Sequence, residues 1–197
     1  MSEIWAIVLA AGESKRMGFP KMLLDFGGKT MLERVIENVT GSDVDKIMVV
    51  LGAEREKLMS IVNKLPVSYC YNENYSDGML SSVKCGFKNI PEGYEAVLVF
   101  QGDQPYIKAG VINSVIKAYR SSDYGLLMPV CNGKRGHPLL IDFRYNNEIE
   151  LLDSSEGLRS LAQKFSNDVL EVETAEEGIL RDFDAYSEYK SEINQKL

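Results

Sequence analysis

At 197 residues, with 45% hydrophobic and 26% charged composition, the chain has room for a single hydrophobic core; a domain of this size buries about 70% of its unfolded surface. A net charge of −7 and a pI near 4.9 exclude the net basic face that nucleic acid or an anionic membrane surface demands, so the expected partners are small molecules or other proteins. Cys70, Cys85 and Cys131 are odd in number, far apart and not in a C-x-x-C pair, which argues against a disulfide framework or a zinc site and for reduced thiols in the cytoplasm.

Met1-Ser2-Glu3 leads directly into an apolar run, with no basic leader and no apolar stretch near the ~18 residues of a membrane span, so no export or anchoring is expected. Ile4 to Leu9 reads as a buried parallel strand, and Ala10-Ala11-Gly12 then lets the backbone turn tightly and approach a ligand closely. Ser14, Arg16 and Lys21 add a hydroxyl and two cations beside those backbone donors. Two positive side chains in an acidic protein suit a polyphosphate, and we read this stretch as a triphosphate cradle rather than a basic surface loop. The Rossmann G-x-G-x-x-G is absent, and Gly28-Lys29-Thr30 imitates the end of a P-loop but has Leu23 where the leading glycine must stand.

Met22 to Phe26 is a short apolar piece closed by Gly27-Gly28, and Thr30 with Glu33 forms a capping box that opens an amphipathic helix to about Val39. Lys46 to Leu51 is a β-branched strand. Helical spacing follows over Glu54 to Leu65, Pro66 stops it, and Val67 to Tyr71 is a strand. Asn72 to Gly78 is a polar loop, Met79 to Asn89 a helix and Ala96 to Gln101 an apolar strand ending in Gly102-Asp103-Gln104-Pro105. Lys108 to Arg120 is a helix, Tyr124 to Val130 a strand, Asn132-Gly133 a turn and Leu139 to Ile141 the returning strand of a hairpin or short crossover. Helical patterns at Phe143 to Leu152 and Gly157 to Phe165, a strand at Val169 to Val172 and a charged helix after Asp184 complete the chain. Repeated β-α alternation calls for one α/β domain over 1–197, with a mostly parallel sheet, helices on both faces and mixed pairing at one edge.

Asp103 follows its strand directly, so its carboxylate should stand at the C-terminal edge of the sheet, near the cradle. It reads in two ways, as a turn-forming cap or as the first ligand of a Mg²⁺ that draws its other ligands from phosphates and water. Asp182 and Asp184 stand just before a helical pattern and by themselves read as a helix cap. His137, the one histidine, sits in Lys134-Arg135-Gly136-His137-Pro138 and reads as a substrate contact. A phosphate nucleophile is already ionised and needs little base, so a general-base role is not required of it. No Ser-His-Asp order or H-E-x-x-H is present, which leaves hydrolase chemistry without support.

With these residues assembled, the pattern resembles the MobA-like nucleotidyltransferase family, and within it the molybdenum cofactor cytidylyltransferases. The resemblance rests on LAAGESKRMGFPK at Leu9 to Lys21, NENYSDGMLSSVKCG at Asn72 to Gly86, GDQP at Gly102 to Pro105, GKRGHPLL at Gly133 to Leu140 and, weakly, DFDAYSEY at Asp182 to Tyr189. It implies a three-layer α/β/α fold of the nucleotide-diphospho-sugar transferase type with a Rossmann-like sheet. It further implies a nucleotide base on Leu9, Ala10, Ala11 and Gly12, with Gly102 beside it, and a triphosphate held by Arg16 and Lys21. Mg²⁺ is implied on Asp103 with Asp184, although Phe183, Ala185, Tyr186 and Ser187 depart from the family's usual last block. Asn74, Gly78, Ser81 and Ser82 are implied to line the pocket between base and pterin, and Arg135, Gly136, His137 and Pro138 to face the pterin. Ala11, where guanylyl members tend to carry glycine, points to CTP over GTP. The implied acceptor is the molybdenum cofactor, and the implied recipient of the product a molybdenum hydroxylase of the xanthine dehydrogenase type. A sugar- or polyol-phosphate nucleotidyltransferase and a non-catalytic carrier of the finished cofactor remain as competing readings. GKRGHPLL counts against the first, and the retention of Arg16, Lys21 and Asp103 together against the second.

Overall fold

A computed structural model of the chain describes residues 3–153, 157–183 and 189, without the side chain of Arg16. The centre is β1 (Ile4–Ala10), buried along its whole length and flanked by two parallel strands, β2 (Lys46–Leu51) and β4 (Ala96–Gln101). β3 (Ser68–Tyr71) extends the sheet beyond β2, again in parallel. Side chains alternate strictly along β1. Ile4, Ala6, Val8 and Ala10 enter one core, while Trp5, Ile7, Leu9 and Ala11 enter the other. This is why the strand reads as a continuous apolar run, for both of its faces are covered.

One face carries α1 (Met31–Thr40), α2 (Arg55–Val62) and α4 (Ala109–Arg120), through residues such as Leu32, Val35, Leu58, Ile112 and Val115. The other carries α3 (Met79–Asn89), α5 (Asn146–Leu151) and α6 (Arg159–Lys164), through Leu80, Val83, Phe87, Ile149 and Leu161. The result is the three-layer α/β/α arrangement expected from the alternation. The capping box at the start of α1 is formed. Glu33 N–H donates to the Thr30 hydroxyl at 3.3 Å and the Glu33 carboxylate accepts from Thr30 N–H at 2.7 Å.

The far half of the sheet is where pairing becomes mixed. β5 (Leu126–Cys131) turns at Asn132-Gly133, both at positive φ as a two-residue hairpin turn requires, into the short β6 (Lys134–Arg135). After Gly136, His137 and Pro138 the chain enters β7 (Leu139–Asp142), which lies antiparallel to both β4 and β5 and fills the slot between them. β8 (Val169–Glu173) pairs in parallel along the other edge of β5. β6 and β7 therefore share one edge of β5, and between them Gly136 N–H still donates to the Pro129 carbonyl at 2.9 Å before the chain leaves the ladder at His137 and Pro138. Phe183 packs with Phe26 and Tyr106, their ring centroids 6.2 and 6.0 Å away. The Tyr189 hydroxyl donates to the Asp25 carbonyl at 2.6 Å. The charged helix expected after Asp184 lies outside the described residues. The three cysteines are free, with the sulfurs of Cys70 and Cys85 3.6 Å apart and Cys131 buried.

Candidate functional site

Strand order runs outward from β1 in both directions, to β2 on one side and to β4 on the other. At such a switch point the loops leaving the two strands diverge and open a crevice at their carboxyl ends. A cavity of about 220 Å³ lies there, lined by Leu9, Ala11 and Gly12 from the end of β1, by Gln101 and Asp103 from the end of β4, and by Lys21, Tyr75, Gly78 and Ser82.

Close backbone approach shapes this cleft. Gly102 N–H donates to the Leu9 carbonyl at 2.9 Å, and a Cβ at Gly102 would stand 2.8 Å from that oxygen and 2.9 Å from the Met22 sulfur. Only glycine lets β4 end this close to β1 before the chain turns out at Asp103. Gly52 does the same for the Ala11 turn, since a Cβ there would lie 2.4 Å from the Ala11 carbonyl oxygen. At Gly12, by contrast, a Cβ would meet nothing within 4 Å, so the backbone is open to a ligand on that side. Ala10, in the core, and Gly102, packed on Leu9 and Met22, are not among the residues that line the cleft.

Lys21 opens a single turn of 3-10 helix, Lys21–Leu23, and its N–H donates to the Ser14 hydroxyl at 3.2 Å, which closes the loop after β1 on itself. Its ammonium forms an ion pair with Asp103. Both side chains are largely buried, at 18% and 6% exposure, so neither charge is solvated as it would be at the surface. A buried pair of this kind is worth little as a staple and leaves both charges ready for a charged ligand. Arg16 falls in the Lys15–Met17 turn, with its side chain outside the described residues. Asp184 lies outside them too.

The polar loop after β3 is organised by Asn72, which is buried. Its amide donates to the hydroxyls of Ser81 and Ser82 at 2.8 and 3.0 Å and its oxygen accepts from Asn74 N–H at 3.0 Å. The Ser81 hydroxyl in turn lies 2.8 Å from the carbonyls of Asn74 and Gly78. Ser82 and Gly78 face the cleft, whereas Asn74 and Ser81 line a separate surface groove behind the loop.

The break between β6 and β7 places His137 beside the end of β4, its Nε2 3.2 Å from the Gln101 amide. Burial holds the His137 imidazole below its ordinary protonation range, and Arg159 pushes in the same direction while Asp103 opposes both. Arg135 is exposed and its Nε donates to Glu171 at 2.7 Å. Gly136 is pressed against the turn Glu177–Leu180. A Cβ there would lie 2.5 Å from the Ile179 carbonyl oxygen, which also accepts from His137 N–H at 3.3 Å.

A divalent cation fits this donor set. Among the described residues no group of three or more Asp, Glu, His or Cys side chains converges, so the protein offers the carboxylate of Asp103. One carboxylate suits an ion that keeps waters and takes its other ligands from phosphates. The sequence singles out neither Asn72 nor Gln101. Gln101 could have been noticed as the one polar residue closing the apolar run AVLVFQ, and Asn72 as an amide directly after a strand.

Residues 6–169 match the MobA-like NTP transferase domain. A protein of Methanosarcina acetivorans named as a probable molybdenum cofactor guanylyltransferase is 31% identical over 127 residues, 61% of this chain and 55% of that protein's length. Nicotine blue oxidoreductase of Paenarthrobacter nicotinovorans is 30% identical over 145 residues, 71% of each chain. In fold, the crystal structure of Rv0371c from Mycobacterium tuberculosis H37Rv superposes with a TM-score of 0.86 at 20% identity over 98% of both chains, and that protein is also solved in complex with manganese. The chain belongs to the MobA-like NTP transferase family.

Proposed function

We propose that the protein transfers CMP from CTP to the terminal phosphate of the molybdenum cofactor and releases pyrophosphate. The observation that carries this reading is the Lys21–Asp103 pair at the floor of a cleft whose backbone is open to a ligand at Gly12. The methanogen relative's name supports the acceptor and names guanylyl transfer, whereas Ala11 is the feature that favours CTP.

In this mechanism an oxygen of the acceptor phosphate forms a bond to the α-phosphorus of the nucleotide. The bond from that phosphorus to the bridging oxygen breaks, and pyrophosphate leaves with the electron pair. Lys21 and Arg16 hold the triphosphate, and Lys21 exchanges part of its contact with Asp103 for phosphate oxygens as the nucleotide enters. Asp103, with Asp184 as the second position, would hold a Mg²⁺ that supplies charge neutralisation between the phosphates. The protein's main contribution is to position two ionised reactants and balance their charge. His137, in contact with Gln101, orients the acceptor, whose phosphate is already ionised and needs no base. No helix among the described residues is long and apolar enough to cross a membrane. With three free thiols, the chain is assigned to the cytoplasm, where a molybdenum hydroxylase would receive the product.

The test is pyrophosphate release from purified protein with Mg²⁺ and molybdenum cofactor, with CTP, GTP, ATP and UTP supplied separately. Release with CTP alone is expected. Release with GTP would keep the chemistry and overturn the base assignment, and release only when a sugar phosphate replaces the cofactor would move the protein to the sugar-nucleotide branch. Cofactor binding without release under any condition would make it a carrier.

A further inference from the structure

Another cavity, of about 290 Å³, opens beside the Gln101–His137 contact. Met128, Leu139 and Ala162 give it an apolar wall, while His137, Arg159 and Gln163 give it a polar side. Gln101 lines the first cleft and His137 the second, so the two cavities meet at this contact. Arg135 stands at the rim with its Nε engaged by Glu171. Arg159 differs, since no hydrogen bond or ion pair engages it among the described residues. It is nonetheless close enough to His137 to oppose protonation of that ring.

We infer that Arg159 is the residue that binds the phosphate of the acceptor, in the cavity that adjoins the nucleotide cleft at the Gln101–His137 contact. The inference rests on the phosphate-acceptor reading given above. Transfer needs two anionic groups brought to one phosphorus atom, and the nucleotide's charge is met by Lys21 in the first cleft. The acceptor needs its own cation, with geometry matched to a phosphate. A guanidinium presents paired donors that engage two phosphate oxygens at once, and Arg159 has no ion pair to break first among the described residues. The apolar wall beside it suits a flat, partly apolar heterocycle such as a pterin, with Gln163 available to its ring edge.

Arg159→Ala and Arg159→Lys test the assignment, with molybdopterin as the probe, its binding measured by ultrafiltration without nucleotide and CTP binding measured separately. The alanine variant is expected to lose about tenfold or more in molybdopterin affinity, the scale of one charged hydrogen-bonded contact, and to raise the acceptor KM by a similar factor. CTP affinity should stay unchanged, and lysine should recover part of the loss. Equal molybdopterin binding by wild type and Arg159→Ala would overturn the role of Arg159 and leave the acceptor reading standing. A joint loss of CTP and molybdopterin binding would overturn it as a merely structural effect. Wild-type protein that binds no molybdopterin would overturn the acceptor reading, and the assignment with it.

Discussion

At the scale of single residues, the proposed reaction turns on the Lys21–Asp103 pair. Its members are 82 positions apart in sequence and meet because β1 and β4 are neighbours in register, with Leu9 opposite Gln101. Replacing Asp103 by Asn, or Lys21 by Ala, should lower turnover by about 10²–10³, the scale for losing one preorganised electrostatic contact. The two variants should differ in stability. Lys21→Ala leaves a buried carboxylate without its partner, whereas Asp103→Asn removes one charge and leaves an ammonium that can still turn toward the cleft. Steady-state pyrophosphate release together with urea unfolding separates the two effects, and unchanged turnover in either variant would remove that residue from the mechanism.

At the scale of elements, the capping box of α1 combines a local sequence signal with a pH-dependent contribution. Thr30→Ala should cost about 1 kcal/mol, seen as a lower urea midpoint at unchanged slope. Hydrogen bonds from Thr30, first its side chain and then its backbone, hold the Glu33 carboxyl below its ordinary value of 4.5. A depressed carboxyl stabilises the fold fully above that ordinary value, and the contribution is lost as pH falls through the lowered one. Thermal unfolding between pH 6 and pH 3 should therefore show a shallower acid decline in Glu33→Gln than in wild type. Local signals of this kind are what made much of the fold legible. β2, α3 and β4 occupy the residues that periodicity and turn chemistry assign them, and α2 ends at Val62, three residues short of the expected Leu65. The insertion of β7 between β4 and β5 was not legible, because a four-residue apolar strand carries no mark of partners some 40 positions away. For the same reason the sequence offered Asp103, Lys21 and His137 separately, but neither the ion pair nor the contact at which two cavities meet.

At the scale of the whole molecule, the two halves of the sheet carry different parts of the proposed reaction. The parallel half, β3 to β4, builds the cleft at the switch point, and the mixed half builds the cavity beyond His137. A late segment, the turn Glu177–Leu180, reaches back to seat the loop between β6 and β7 through the Gly136–Ile179 approach. Gly136→Ala should force that backbone contact apart and cost about 1–3 kcal/mol, the range for overpacking. Limited proteolysis should then cut near residues 177–180 faster than in wild type, with CTP binding retained. Loss of CTP binding in this variant would show that the two halves are not separable. The same contact sets an order of events during synthesis. The ribosome delivers Lys21 and Asp103 well before Ile179, so a growing chain can shape its nucleotide cleft while the second cavity still lacks a seated wall, and transfer has to wait for the last of these segments to emerge.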